Sequence, residues 1–179
     1  MKALLIAGLA GLAGVMAFAA MEPPALKAVE AAINDRFRSG LNDPFDLLGT
    51  ARGTYLPGYG AVFTVEMNLV TVSPLAFSPF SQTISPKEIA ALHDRKVKKL
   101  AVLRDAMHEL MLSAGTILTT LPGDERVTME AFLFNYRWEN GAGLPHKLMM
   151  TADRQKLAEA KSNRLSGVDL ASIIQETEY

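Results

Sequence analysis

The sequence predicts an α+β domain of two layers, in which an antiparallel sheet of about four strands, arranged as two hairpins, packs against a long central helix. Three observations lead to this prediction. Apolar and polar residues alternate over residues 63–69, as in a strand with one buried face. An apolar stripe with helical spacing follows Ser85. Two further strand-like runs, Val127–Trp138 and His146–Ala152, flank the turn residues Asn140–Gly143.

The chain begins with the pattern of a secretory signal peptide. Lys2 supplies a positive end, and an uncharged run rich in alanine and glycine follows it. The Ala-Phe-Ala sequence that ends at Ala19 places small residues where a signal peptidase reads them, so we expect cleavage after Ala19 or Ala20. Residues 1–19 are then removed, and the protein is exported to the periplasm or the extracellular space. The alternative is an uncleaved anchor, because the apolar run approaches the roughly 18 residues that span a bilayer.

Residues 20–179 are expected to form a single globular domain that begins with a helix over about Ala25–Arg38. Apolar residues recur there at spacings of three and four. They are Leu26, Val29, Ile33 and Phe37. A first hairpin follows, in which Leu48–Tyr55 pairs with the alternating run after a Pro57-Gly58 turn.

The Pro-Phe segment, Ser73–Ser85, contains Pro74 and Pro79 as well as Phe77 and Phe80. Proline interrupts it too often for a regular element, yet it is too apolar for an ordinary exposed loop. We expect it either to pack on the domain or to bind a partner.

The long central helix has a well-defined start. Ser85 is a suitable N-cap, Pro86 suits the first helical position, and Glu88 completes a capping box. About 28 residues of helix measure about 42 Å, longer than a small sheet is wide, so one end is expected to overhang as a candidate partner surface. Lys96, Lys98 and Lys99 are expected on the solvated side. The apolar stripe comprises Ile89, Leu92, Val97, Leu100, Leu103, Met107, Leu110 and Ala114.

The second hairpin is followed by a helix over about Asp153–Asn163. Residues 164–179 carry no element that the sequence places, and could form a flexible tail. The order of elements is similar to that of roadblock and profilin-like domains, in order alone, and this similarity implies no function.

Composition excludes several classes of function. The chain carries 18 Lys and Arg against 19 Asp and Glu, and it has no cysteine. A general nucleic-acid binder needs a basic face, so nucleic acid is not an expected partner. Thiol chemistry and a lipidated cysteine are also excluded, and the domain has to be stable without disulfides.

We predict no catalytic, cofactor-binding or metal-binding residues. His93 and His108 lie about 22 Å apart along one predicted helix and cannot share a metal, and His146 is isolated at the start of a strand. Met107 and Met111 with His108 would suit Cu(I), but both methionines fall at core positions. Phosphate-loop, zinc-protease and serine-hydrolase motifs are absent.

The predicted third strand carries aromatic residues on the face opposite its aliphatic one. A one-sided sheet would leave that face in water, so helices, the Pro-Phe segment or a partner should cover it. We therefore predict an apolar binding surface. It comprises Phe77, Phe80, Phe132, Phe134, Tyr136 and Trp138.

The sequence favours a non-enzymatic exported module that binds a protein or an envelope component through this surface. One alternative is a small exported enzyme, hydrolase-like, with a carboxylate or histidine site around Glu66, Glu130 or His146. Another is a membrane-tethered regulatory domain, which requires that the leader stay attached and is the one case in which membrane contact is expected.

Overall fold

The structure, a computed structural model, describes residues 23–71, 84–163 and 168–179. The predicted combination of a sheet with a long central helix and flanking helices is confirmed. The predicted leader, 1–19, and both Phe77 and Phe80 lie outside the described residues. The elements are α1 (Pro23–Arg38), β1 (Asp46–Leu47), β2 (Arg52–Leu56), β3 (Gly60–Asn68), α2 (Pro86–Ile117), β4 (Arg126–Leu133), β5 (Lys147–Asp153), α3 (Arg154–Ser162), α4 (Val168–Ala171) and β6 (Gln175–Glu178).

The sheet is mixed and has six strands, so the prediction of four antiparallel strands is wrong. The two predicted antiparallel pairings occur, β2 with β3 and β4 with β5, but residues 134–146 connect the second pair in place of the short loop predicted at Asn140–Gly143. The two hairpins are joined by a parallel pairing of β3 with β4, which a connection as long as the one containing α2 permits. The spatial order is β1, β3, β4, β5, β6, and β2 also pairs with β3. Part of the unplaced tail forms β6.

The predicted first strand, Leu48–Tyr55, is split by a bulge. Leu47 lies opposite Met67 and Arg52 lies opposite Thr64, so residues 48–51 face only two residues of β3. The regular pairing with β3 is therefore interrupted between β1 and β2.

The hydrophobic core lies between one face of the sheet and a layer of helices. Phe63 and Met67 of β3 and Met129 of β4 point into it and are fully buried. Ile33 of α1 and Leu103 of α2 meet them in one continuous cluster. Because α2 contacts both α1 and α3, these three helices cover the same face of the sheet.

Helix α2 begins as predicted. The Ser85 side chain accepts a hydrogen bond from the Glu88 backbone N–H, and the Glu88 carboxylate accepts one from the Ser85 backbone N–H at 2.8 Å. Its 32 residues measure about 48 Å. Residues 86–95 contain no buried position, but Leu92 packs against the core, so the part of α2 that extends past the core lies before Leu92.

Two predictions about α2 are wrong. Val97 is 47% exposed although the apolar stripe includes it. Lys96 and Lys99 are buried instead, whereas we expected them in solvent. The reason is that both ammonium groups reach oxygen atoms of loops that pack over this part of the helix.

Candidate binding site on the open face of the sheet

The face of the sheet that points away from α1, α2 and α3 carries the candidate site. On β3 the residues that alternate with the core positions are Thr64 and Glu66, and on β4 they are Glu130 and Phe132. All four are partly or largely exposed. We call this side the open face.

One row of side chains crosses the open face. Glu66 lies opposite Phe132, and Phe132 lies opposite Lys147. Lys147 and Tyr179 exchange two backbone hydrogen bonds, of 3.0 and 3.2 Å, and Leu48 donates its N–H to the Glu66 carbonyl at 2.9 Å. Leu48, Glu66, Phe132, Lys147 and Tyr179 therefore lie side by side, and we call them the cross-strand row.

The apolar members of the cross-strand row are unusually exposed. Leu48 is 49% exposed, Phe132 40% and Tyr179 59%, and Phe134, just past the end of β4, is 42% exposed. Lys147 connects the aromatic members, because its Nζ lies 5.9 Å from the centroid of the Phe132 ring and 4.2 Å from that of Tyr179. These distances suit cation–π contacts and hold the row together as one surface.

Two hollows adjoin the row. The bulge cavity, about 450 Å³, lies between residues 48–51 and Phe132, and Arg52, Thr64 and Glu66 contribute to its lining. A smaller hollow of about 220 Å³ is lined by Leu48, Glu66, Phe132, Leu133, Phe134 and His146. Leu48, Glu66 and Phe132 are walls of both, so the two hollows form one recessed region.

The structure does not place the predicted aromatic residues in a single row. Phe132 is on β4, which ends at Leu133, and Phe134, Tyr136 and Trp138 lie in the following loop. The Phe134 and Tyr136 rings meet edge to face with centroids 4.9 Å apart, and the Tyr136 and Trp138 rings stack at 5.8 Å. Phe132 and Phe134 therefore line the recessed region. The ring contacts continue from Phe134 to Tyr136 and Trp138, and we call this part of the chain the aromatic loop.

Lys96 contacts the chain just beyond the end of β4. Its Nζ donates hydrogen bonds to Asn135 Oδ1 at 2.8 Å and to the Phe134 carbonyl at 3.4 Å, and it forms an ion pair with Glu139. Phe134 still donates its N–H to the Met67 carbonyl of β3 at 2.8 Å, and from Asn135 to Glu139 the chain contacts Lys96. The Lys96 and Glu139 side chains are only 1% and 2% exposed. Burial lowers the pKa of Lys96, and the pair with Glu139 offsets only part of that effect.

Sequence reasoning missed Lys96 and Lys99 as structural residues, although their spacing contains a signal. Lys96 precedes Leu100 by four positions, and Lys99 precedes Leu103 by four, so both lysines lie on the buried stripe. Lys99 donates to the backbone carbonyls of Asp43 and Pro44 and lies 4.4 Å from the centroid of the Phe45 ring. It fixes the loop that leads into β1.

The residues proposed for an enzyme do not assemble into a catalytic group. Glu66 and His146 line the smaller hollow, but no hydrogen bond or ion pair joins them. Glu130 pairs with Lys147, whose Nζ lies 3.3 Å from its Oε1. His93 Nδ1 is 2.9 Å from the Asn140 carbonyl oxygen, and His108 Nε2 lies 3.9 Å from a Glu176 carboxylate oxygen.

Within residues 23–71, 84–163 and 168–179, no three His, Cys, Asp or Glu side chains cluster as a metal ion would require. None of the helices in the same ranges combines the length and apolar character needed to cross a bilayer. No known protein family, curated protein or solved structure matches this chain.

Proposed function

We propose that this protein is a non-enzymatic exported binding module that takes an apolar segment of a protein or envelope component onto the open face of its sheet. The proposal rests on one observation: the apolar side chains of the cross-strand row, and Phe134 beside them, are exposed. A sheet with one solvated face normally places polar residues there. Leu48, Phe132 and Phe134 line the smaller hollow together, with charged residues beside them, and exposed apolar side chains grouped in this way mark interaction sites on soluble proteins.

The surroundings of the row also favour binding. The Glu130–Lys147 pair and Thr64 provide a polar rim, which can select among apolar partners. Phe134 is held from two sides, since its N–H donates to the Met67 carbonyl at 2.8 Å and its carbonyl accepts from Lys96. A surface that is ordered before the partner arrives loses less conformational entropy on binding.

The other parts of the proposal rest on the sequence. Export follows from the leader pattern of residues 1–19. Phe77 and Phe80 stay predicted contributors to the surface.

The enzymatic alternative receives less support from the geometry. Glu66 and His146 share a hollow, which is the one observation in its favour. The other residues that line that hollow are apolar, and no hydrogen bond joins Glu66 to His146. A tethered regulatory domain would require that the leader remain attached.

The proposal is tested by capture of partners from an envelope extract, with the exported protein as bait. Phe132→Ser is expected to lose the partner, because it removes the central ring of the row without touching the core. Val97→Ser is a matched control, since Val97 is a similarly exposed apolar residue on α2. Thermal unfolding should show both variants folded. Equal capture by the two variants would refute the open face as the binding surface, and loss with Val97→Ser alone would place it on α2.

A further inference from the structure

The bulge cavity contains two opposite charges that form no hydrogen bond or ion pair within the described part of the chain, although Arg52 is within electrostatic reach of the Glu30 carboxylate on α1. Arg52 and Glu66 both line it, and neither side chain forms a hydrogen bond or an ion pair with any residue in the described ranges. The other charges nearby are satisfied, since Glu130 and Lys147 pair with each other. Unpaired opposite charges in one recess are the complement of a ligand that carries both signs.

The spacing of the two charges limits the size of such a ligand. Arg52 lies opposite Thr64, and Glu66 is two positions further along β3 on the same face. Diagonal neighbours of this kind have Cα atoms about 7–8 Å apart. A small molecule with an ammonium and a carboxylate on one carbon can therefore contact both side chains, whereas a singly charged ligand leaves one of them unused.

The walls indicate what else the ligand carries. Leu48 and Phe132 form apolar walls beside Glu66, and Thr50 and Thr64 contribute hydroxyl groups. A volume of about 450 Å³ falls in the range of small-molecule sites. The lining therefore suits one charged head group with an aliphatic side chain.

The bulge that forms one wall is held in place by α1. Arg38 Nη2 donates to the Gly49 carbonyl at 3.2 Å, and Asn34 Oδ1 accepts from the Ala51 N–H at 3.0 Å. Glu30 Oε1 accepts from the Gly53 N–H at 2.8 Å, just beyond the bulge. Three helix side chains thus fix residues 49–53, and bulges that re-aim side chains occur preferentially beside functional sites.

We propose that the bulge cavity binds a free α-amino acid with an aliphatic side chain as its zwitterion. The guanidinium of Arg52 binds the carboxylate, Glu66 binds the ammonium group, and Leu48 and Phe132 contact the side chain. This inference does not depend on the proposed function. Leu48, Glu66 and Phe132 belong to both sites, whereas Arg52 lies outside the cross-strand row, so an Arg52 variant distinguishes the two sites.

Calorimetric titration of the purified protein tests the site, with L-leucine as the probe. Leucine should bind saturably at submillimolar to millimolar concentration. N-acetyl-leucine, which lacks the ammonium group, and leucinamide, which lacks the carboxylate, should each bind at least about tenfold more weakly, because each leaves one charge unpaired. Equal binding of all three compounds, or no binding of leucine at millimolar concentration, would overturn the proposal.

Variants assign the charges to their residues. Arg52→Gln and Glu66→Gln should each weaken leucine binding about tenfold or more. Arg95→Gln and Asp105→Asn are matched controls on the exposed side of α2 and should leave it unchanged. Arg52→Gln should still capture the envelope partner, so the two sites can fail separately. If both cavity variants bind leucine like the wild type, the charges do not form the site.

Discussion

The two halves of α2 bury their inner sides by different means. From Leu103 to Ala114 the buried positions are apolar and face the core side of the sheet. At Lys96 and Lys99 the same stripe carries ammonium groups, which face the loops around Asp43 and Asn135. Helix geometry determines which positions of α2 are buried. The part of the protein that packs against each position determines which residue type suits it. Loops present carbonyl and carboxylate oxygens that need donors, whereas the sheet presents methyl and methylene groups.

The two halves of α2 therefore differ in what they contribute: one stabilises the fold and the other positions neighbouring loops. Apolar burial stabilises the fold directly. A buried ion pair contributes little net stability, because desolvation offsets the attraction between the charges, but loss of one partner is costly. We therefore expect the apolar half of α2 to supply stability and the lysine half to set the position of the aromatic loop.

The largest effect is expected from Glu139→Ala. It leaves the Lys96 ammonium buried beside an empty space, and loss of one member of a buried pair costs about 3–5 kcal/mol. Urea unfolding measures the change, with the exposed Asp105→Ala as control. Trp138 fluorescence should shift to the red before unfolding, because the aromatic loop loses its anchor. Identical urea midpoints for the two variants would contradict burial of the pair.

Leu103→Ala should cost about 2–5 kcal/mol, because it opens a cavity in the core. Leu103 is completely buried. Trp138 emission of the folded variant should equal that of the wild type, since the aromatic loop keeps its contacts with Lys96. A red shift of Trp138 emission as large as that of Glu139→Ala would show that the apolar half of α2 also positions the aromatic loop.

The double variant Lys96→Met/Glu139→Leu sharpens the comparison. Replacement of a buried ion pair by apolar residues is often neutral or stabilising, so the free energy of unfolding should stay within about 1 kcal/mol of the wild type or rise. The Trp138 emission should nevertheless change, because Asn135 and the Phe134 carbonyl lose their donor. If the double variant keeps both the Trp138 emission and the partner capture of the wild type, the ion pair does not position the aromatic loop.

A smaller effect is expected from pH. The pKa of Lys96 in the folded protein lies below its ordinary value of 10.5, mainly because of burial. Between these two values the unfolded chain binds more protons, so the contribution of Lys96 to stability rises with pH toward 10.5. The difference in urea midpoint between the wild type and Lys96→Met should therefore shift in favour of the wild type over this range. A constant difference would contradict the lowered pKa.

The smallest effect is expected from Lys98→Ala, within about 0.5 kcal/mol of the wild type. Lys98 lies between the two buried lysines in sequence but is exposed. Comparison of Lys98→Ala with Glu139→Ala shows whether the loss in free energy of unfolding depends on burial of the charged group rather than on its place in the sequence. A loss of several kcal/mol in the urea titration would mean that this turn of the helix is oriented differently.

Much of the fold could be predicted because its signals are local. The β2–β3 turn needs a residue with positive φ, and Gly58 has a φ of 79°. The alternation on β3 predicted which side chains point into the core, and Phe63 and Met67 are buried there. β6 could not be predicted in this way, because Gln175–Glu178 has no apolar alternation and is a strand only because it pairs with β5.

The candidate site could be predicted only in part. The aromatic composition after Val127 pointed to Phe132 and Phe134, and both line the smaller hollow. The row was expected to continue to Trp138, but β4 ends at Leu133, and the residues beyond it contact Lys96 through Asn135 and Glu139. The bulge cavity carries no sequence motif, because Arg52 and Glu66 come together through strand register.

By itself the sequence determined the class of the fold, the start of α2 and the faces of its central strands. Each depends on residues a few positions apart, such as Ser85, Pro86 and Glu88. Tertiary structure alone decided that β3 runs parallel to β4 and which oxygen atoms receive the two buried lysines. The oxygens that receive Lys96 and Lys99 lie 38 to 56 residues away along the chain. A lysine is stable in the interior only when such distant acceptors surround it, and no local pattern specifies them.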